Sequence, residues 1–146
     1  MTDKTIKEYR DQYKKLVKAQ YSAIKKVYCP CLKEYIFFNS QGLHHLLYDV
    51  TGRERRLQEQ VYRLKLFPLV IPVIKKANKV YLHQCRKNIT IAVKRGKKQK
   101  KNVDYWALME IVGSKNDAKI KVILRKVGDG HVIFWSVMKM KTKTFP

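Results

Sequence analysis

The chain has 146 residues, with 33 Lys plus Arg against 11 Asp plus Glu and a formal net charge of +22 at neutral pH. A hydrophobic fraction of 45% and an aromatic fraction of 11% exclude a bare polybasic tail, so residues 1–146 are expected to form one basic domain around one core. No apolar stretch reaches the ~18–20 residues of a membrane span, since Lys65, Pro68 and Pro72 interrupt the best candidate, Leu64 to Ile74. Met1 to Glu8 lacks the apolar segment of a signal peptide, which predicts a cytoplasmic protein with no membrane partner. Three cysteines in such a chain are expected to be thiols. An excess of positive charge this large repels itself, and a polyanionic partner, nucleic acid first, is the physical reason to carry it.

In chain order, Thr5 and Glu8 read as a capping box for a helix from about Thr5 to Lys25, with Ile6, Tyr9, Tyr13, Leu16, Val17 and Ile24 as its apolar stripe. This helix, over residues 1–26, is read as an N-terminal elaboration. Val27 to Phe38 is aromatic and β-branched around Pro30, which predicts a short hairpin. Asn39-Ser40 offers an N-cap for a short helix through Leu43, Leu46, Leu47 and Tyr48. Thr51 and Glu54 read as a second capping box. It would open a helix with Leu57, Val61, Leu64 and Phe67 inward and Arg53, Arg55, Arg56 and Arg63 at the remaining positions, ending or kinking at Pro68.

After Asn78 the helical period disappears. Val80 to Val93, Val103 to Val112, Ala118 to Val127 and Val132 to Met140 read as strands, with turns at Gly96, Ser114 to Asp117 and Gly128 to Gly130. Helices first and strands last predict an α+β fold, with N-terminal helices packed on one face of an antiparallel sheet of about four strands.

Six cations crowd residues 94–101, at the predicted tip of a hairpin: Lys94, Arg95, Lys97, Lys98, Lys100 and Lys101. Repulsion at that density is relieved by a phosphate backbone, so this segment, with Arg53 and Arg56, is read as a nucleic-acid clamp without sequence preference. Trp106 reads as packed within a central strand, whereas Trp135 fits either the core or a stacking platform. Metal chemistry is poorly supplied. Asp104, Glu110, Asp117 and Asp129 form no ligand pattern, and Cys29-Pro30-Cys31 with His83-Gln84-Cys85 lacks the two-residue spacing of zinc fingers. No metal and no cofactor are expected, and the cysteines are read as small core residues.

Among the histidines, His83 reads as a buried structural residue and His131 as a surface residue beside a Gly-rich turn. His45 lies about 200° around its helix from Leu43, which predicts that it projects away from the core. Beside an arginine-rich helix, an imidazole of ordinary pKa near ~6.5 is a credible acid or base.

The order Tyr35-Ile36-Phe37-Phe38-Asn39-Ser40-Gln41-Gly42-Leu43-His44-His45-Leu46, then Gly52-Arg53-Glu54-Arg55, Val61-Tyr62-Arg63-Leu64, Val122-Ile123-Leu124-Arg125 and Phe134-Trp135-Ser136 resembles the barnase, EndoU, colicin and RelE-like superfamily of metal-independent ribonucleases, in a bacterial or phage-type branch. The resemblance spans about residues 27–140. It implies a small toxin-like endoribonuclease acting on tRNA, rRNA or ribosome-bound mRNA. A further reading, in which the basic face mates with an acidic antitoxin-like protein, is compatible with this and with a purely binding role. The resemblance also implies the roles: His45 as general base or acid, Arg55 and Arg125 on the scissile phosphate, and Ser136 as a hydrogen-bond donor. Arg63 and Trp135 would be auxiliary, and His44 or a tyrosine would be the second proton-transfer group. RNA supplies its own nucleophile, because a deprotonated 2′-OH attacks the adjacent phosphorus and gives a 2′,3′-cyclic phosphate without a metal. The alternative is a non-catalytic basic module that only grips phosphate.

Spacing leaves the last hairpin open. If Val127 pairs with His131, Ser136 shares a face with Val122 and Leu124. A two-residue turn at Asp129-Gly130 instead places it with Ile123 and Arg125.

Overall fold

The computed structural model of the chain describes residues 2–113 and 118–141. In chain order the elements are α1 (Asp3–Ala23), β1 (Lys26–Cys29), β2 (Glu34–Phe37), α2 (Ser40–Leu47), α3 (Leu57–Leu66), a 3₁₀ turn (Phe67–Leu69), α4 (Val70–Lys76), β3 (Leu82–Ala92), β4 (Lys98–Val112), β5 (Ala118–Val127) and β6 (Val132–Lys139). The turn predicted at Ser114 to Asp117 lies outside the described residues.

Both predicted capping boxes are corrected. Thr2 has the extended backbone of a cap, and its side chain accepts from the Thr5 N–H, so α1 opens at Asp3. The Thr51 hydroxyl donates to Asp49 Oδ1 at 2.6 Å, and the same oxygen accepts the N–H groups of Thr51 and Arg53. That Asx-type turn competes with helix nucleation. Glu54 is drawn to Arg10 and Gln60, α3 starts only at Leu57, and Arg53, Arg55 and Arg56 lie in the loop before it. Pro68 falls in the 3₁₀ turn and Pro72 in the first turn of α4, where a missing N–H breaks no intrahelical bond.

The sheet has six strands rather than four, in the order β1-β2-β6-β5-β4-β3. It is mixed: the N-terminal hairpin joins through a parallel contact, Ile36 opposite Val132 and Phe37 opposite Ile133. β6 explains the addition. Val132, Ile133, Phe134 and Val137 are all buried, and a strand apolar on both sides makes a poor open edge.

α3 and α4 pack on one face of the sheet, and α1 lies against α3. The core between them includes Phe134, Ile36, Leu64, Ile74, Leu108 and Leu124, each below 2% exposed. The β5 side chains alternate: Ile120, Val122 and Leu124 enter this core, while Lys121, Ile123 and Arg125 turn to the other face.

β2 stops pairing at Phe37, and α2 continues alongside β6 in its place. Gly42 makes this approach close, because a Cβ there would collide with the Phe134 carbonyl oxygen. Beyond β5, the β3–β4 hairpin continues alone as an arm, with Ile89 opposite Lys101 through Ala92 opposite Lys98. An extra residue between Arg86 and Ile89 marks its root, where Asn88 adopts φ 57° and its N–H reaches Asn102 Oδ1.

Candidate active site

His45 is 7% exposed, which corrects the expectation that it faces solvent. With Gly42 pressed against β6, positions three and four residues later lie on the same side of α2, so His45 and Leu46 follow Gly42 toward the sheet. The His45 ring stacks on Trp135 with centroids 4.3 Å apart and planes at 17°.

Arg55 reaches this ring from the loop after α2. The Arg55 N–H donates to the Leu47 carbonyl and Tyr48 bridges Glu54, which turns the chain back on itself. Arg55 Nε then donates to the His45 carbonyl at 3.1 Å, and Nη2 lies 3.3 Å from His45 Nε2. A guanidinium only donates, so Nε2 is the acceptor and the ring proton is on Nδ1. Burial, followed by the charges of Arg55, Arg63 and Arg125, lowers the His45 pKa to about 4, against a small opposing pull from Asp49. Burial and then Arg63 also lower the Arg55 pKa.

Arg63 binds Glu59 one turn earlier on α3 at 2.8 Å and donates to the hydroxyl of Ser136, itself 4% exposed. The last hairpin contains both registers that spacing allowed. Arg125 faces Ile133 in the register of a Val127–His131 pairing, and Ile123 faces Ser136 in the other, with a one-residue shift between them. This bulge places Phe134 and Val137 in the core three residues apart, leaving Trp135 and Ser136 between them to meet His45 and Arg63.

In front of this cluster is an open cleft of about 610 Å³, bordered by His44, His45, Asp49, Tyr105, Arg125 and Trp135. The Arg125 guanidinium lies 4.3 Å from the centre of the Trp135 ring, and its Nε donates to the Tyr105 hydroxyl at 3.2 Å. Thr90, Ile91 and Ala92 of the arm form a further wall. His44 is exposed and stacks on Tyr48 at 4.2 Å.

The structure thus gathers His45, Arg55, Arg63, Arg125, Trp135 and Ser136 around one point, in two layers. His45, Arg125 and Trp135 border the cleft; Arg55, Arg63 and Ser136 are not among its bordering residues, Arg55 lying against Nε2 of the His45 ring and Arg63 holding the Ser136 hydroxyl next to Trp135. Arg53 and Arg56 are exposed in the loop and join neither layer. Arg95, Lys97, Lys98 and Lys100 are exposed along the arm and Lys101 is half-buried; the side chain of Lys94 lies outside the described residues. Tyr105 and Asp49 are the cleft residues that sequence reasoning missed. The signal for Tyr105 was the β4–β5 register, which sets it opposite Arg125.

Two other expectations are corrected. His83 is exposed on edge strand β3, stacked on the half-buried Trp106 and paired with Asp104 at 2.9 Å. Cys85 is exposed on the same strand, while Cys29 is buried. Among the described residues, no three His, Cys, Asp or Glu side chains gather as a metal site would require, and no helix is long and apolar enough to cross a membrane. Comparison with protein-family models, with curated proteins and with solved structures finds no match.

Proposed function

We propose that the protein is a metal-independent endoribonuclease whose scissile phosphate lies in the cleft between His45 and Arg125. The observation that supports this reading most directly is the His45 imidazole, with Arg55 at its Nε2 and its pKa lowered by burial and nearby guanidiniums, at the wall of an open cleft that Arg125 also borders. A neutral imidazole can accept a proton, and the entering phosphodiester offsets the guanidinium charges that depress its pKa.

Arg125 is the phosphate-binding cation at the cleft surface. Arg55 caps Nε2 in the free protein and turns to the phosphate when it arrives, because the phosphate carries a full negative charge and can accept two guanidinium N–H bonds, whereas the imidazole nitrogen is neutral and accepts one. The 2′-OH then gives its proton to His45 Nε2 and its oxygen bonds to phosphorus. The P–O5′ bond breaks and His44, the other imidazole at the cleft, gives a proton to the departing oxygen. The products are a 2′,3′-cyclic phosphate and a 5′-hydroxyl, with protons balanced between the two histidines. Arg63 and Ser136 are positioning residues for the Trp135 segment.

Incubating the purified protein with total RNA in excess EDTA tests the reading, with cyclic-phosphate and 5′-hydroxyl ends as the expected products. Intact RNA, or cleavage that needs magnesium, would overturn it. The Arg55 contact favours a second reading, a phosphate-gripping module in which the capped ring is only a spacer under Trp135. His45→Ala separates the two: it abolishes cleavage in the enzyme, whereas in the module there is no cleavage to lose and binding persists.

A further inference from the structure

The sheet face opposite the helices continues well beyond the cleft. On one side a hollow of about 260 Å³ includes Phe37 and His131, whose rings stack 4.0 Å apart, and it shares Arg125 with the cleft. On the other side a hollow of about 320 Å³ includes Arg86 and Lys121, and it shares Tyr105 and Trp135 with the cleft. The three hollows therefore form one groove across β2, β6, β5, β4 and β3, roughly 19 Å long at the usual spacing of neighbouring strands.

Rings and cations alternate along this groove. Phe37 with His131 is followed by Arg125 over Trp135, then by Tyr105, with the Arg86 guanidinium 5.9 Å from its ring. The series extends past the groove onto β1 and β2, where Lys26 lies 4.5 Å over Tyr35 and Tyr28 meets Tyr35 edge-on. Asp49 is the one acid bordering the three hollows among the described residues, and its carboxylate already accepts three hydrogen bonds from its own loop. Trp135 already carries His45 and the Arg125 guanidinium on its ring, so the stacking surfaces offered to a strand are the Phe37–His131 pair and Tyr105. Such surfaces are useful only to bases that are not already stacked in a helix, and the cations between them match the phosphates of the same strand.

We propose that this groove binds single-stranded RNA across the strands, with on the order of two or three bases stacked on its rings. The proposal takes the location of the scissile phosphate from the ribonuclease reading, but the binding of an uncleavable strand does not depend on it.

The test is fluorescence anisotropy with a 2′-O-methyl decanucleotide, compared with a blunt duplex of the same sequence at one salt concentration. The single strand is expected to bind at least about tenfold more tightly. Replacing Phe37→Leu and His131→Ala together, which removes a stacking pair while keeping an apolar side chain at position 37, should remove most of that preference. Replacing Lys15→Gln and Lys18→Gln, exposed on α1, lowers the charge by the same route as any surface change and should leave the preference intact. Equal affinity for the duplex overturns the proposal, as does an unchanged preference in the Phe37/His131 variant with native thermal unfolding. Single-strand preference without any cleavage of natural RNA would instead retain the groove and overturn the enzyme.

Discussion

At Gly42 the absence of a side chain is a structural component of the site. An added Cβ would meet the Phe134 carbonyl oxygen and, at 2.6 Å, the Tyr21 hydroxyl, which already donates to the Asn39 carbonyl. Gly42→Ala should destabilise the protein by about 1–3 kcal/mol in urea unfolding, because the collision outweighs the ~1 kcal/mol that alanine gains over glycine in a helix. It should also shift tryptophan fluorescence as His45 moves on Trp135. His45 itself links pH to stability. Its folded pKa of about 4 lies below the ordinary value of 6.5, so the unfolded chain binds the extra proton between these values. Stability from this residue is therefore complete above about pH 6.5 and lost as pH falls toward 4, by on the order of 2 kcal/mol once solvent screening is discounted. Comparing urea midpoints at about pH 7 and about pH 5 checks this, and His45→Phe, which retains a ring against Trp135, should flatten the difference. For catalysis, the acid limb of kcat/KM reports the free protein and should fall near pH 4, with the limb of kcat higher because the bound phosphate neutralises Arg55 and Arg125.

The β3–β4 arm is the element that combines backbone irregularity with charge. Its root bends where Asn88 takes a positive φ, and its flank, Thr90 to Ala92, forms a wall of the cleft while the lysines continue outward. Exposed cations at such a distance from the reacting atoms contribute affinity through counterion release, without sequence information. Replacing Lys97, Lys98 and Lys100 by glutamine should reduce the slope of log affinity against log salt by roughly 2 for a single strand and raise KM, with kcat nearly unchanged. A fall in kcat equal to the fall in kcat/KM would place these residues in the reaction itself. The arm was legible in the sequence as a charged hairpin tip. Its bend over the cleft was not, because an extra residue in a strand has no composition signal beyond the Asn88 that relieves it.

For the whole molecule, a net charge of +22 is a stability liability as well as a binding device. The native fold brings cations together, Arg55 and Arg63 among them, with few acids to offset them. Raising NaCl from about 0.05 M to about 0.5 M should therefore increase Tm by screening repulsion, although the same change weakens RNA binding. A Tm that falls with salt would show that attractive ion pairs such as Arg10–Glu54 and Arg63–Glu59 outweigh the repulsion.

Periodicity and composition determined the helices-then-strands order, the basic surface and the Gly42 to His45 spacing, because each rests on residues close in the chain. Tertiary structure decided the rest. Parallel docking of β2 on β6 turned a four-strand expectation into six strands, and the pairing of Asp49 with its own loop and of Glu54 with Arg10 and Gln60 moved Arg55 from a helix to Nε2 of the His45 ring. The bulge between Ile123 and Leu124 allowed two exclusive registers to coexist in one hairpin. These outcomes depend on which distant groups compete for the same hydrogen bond or the same apolar edge, and local spacing does not encode that competition.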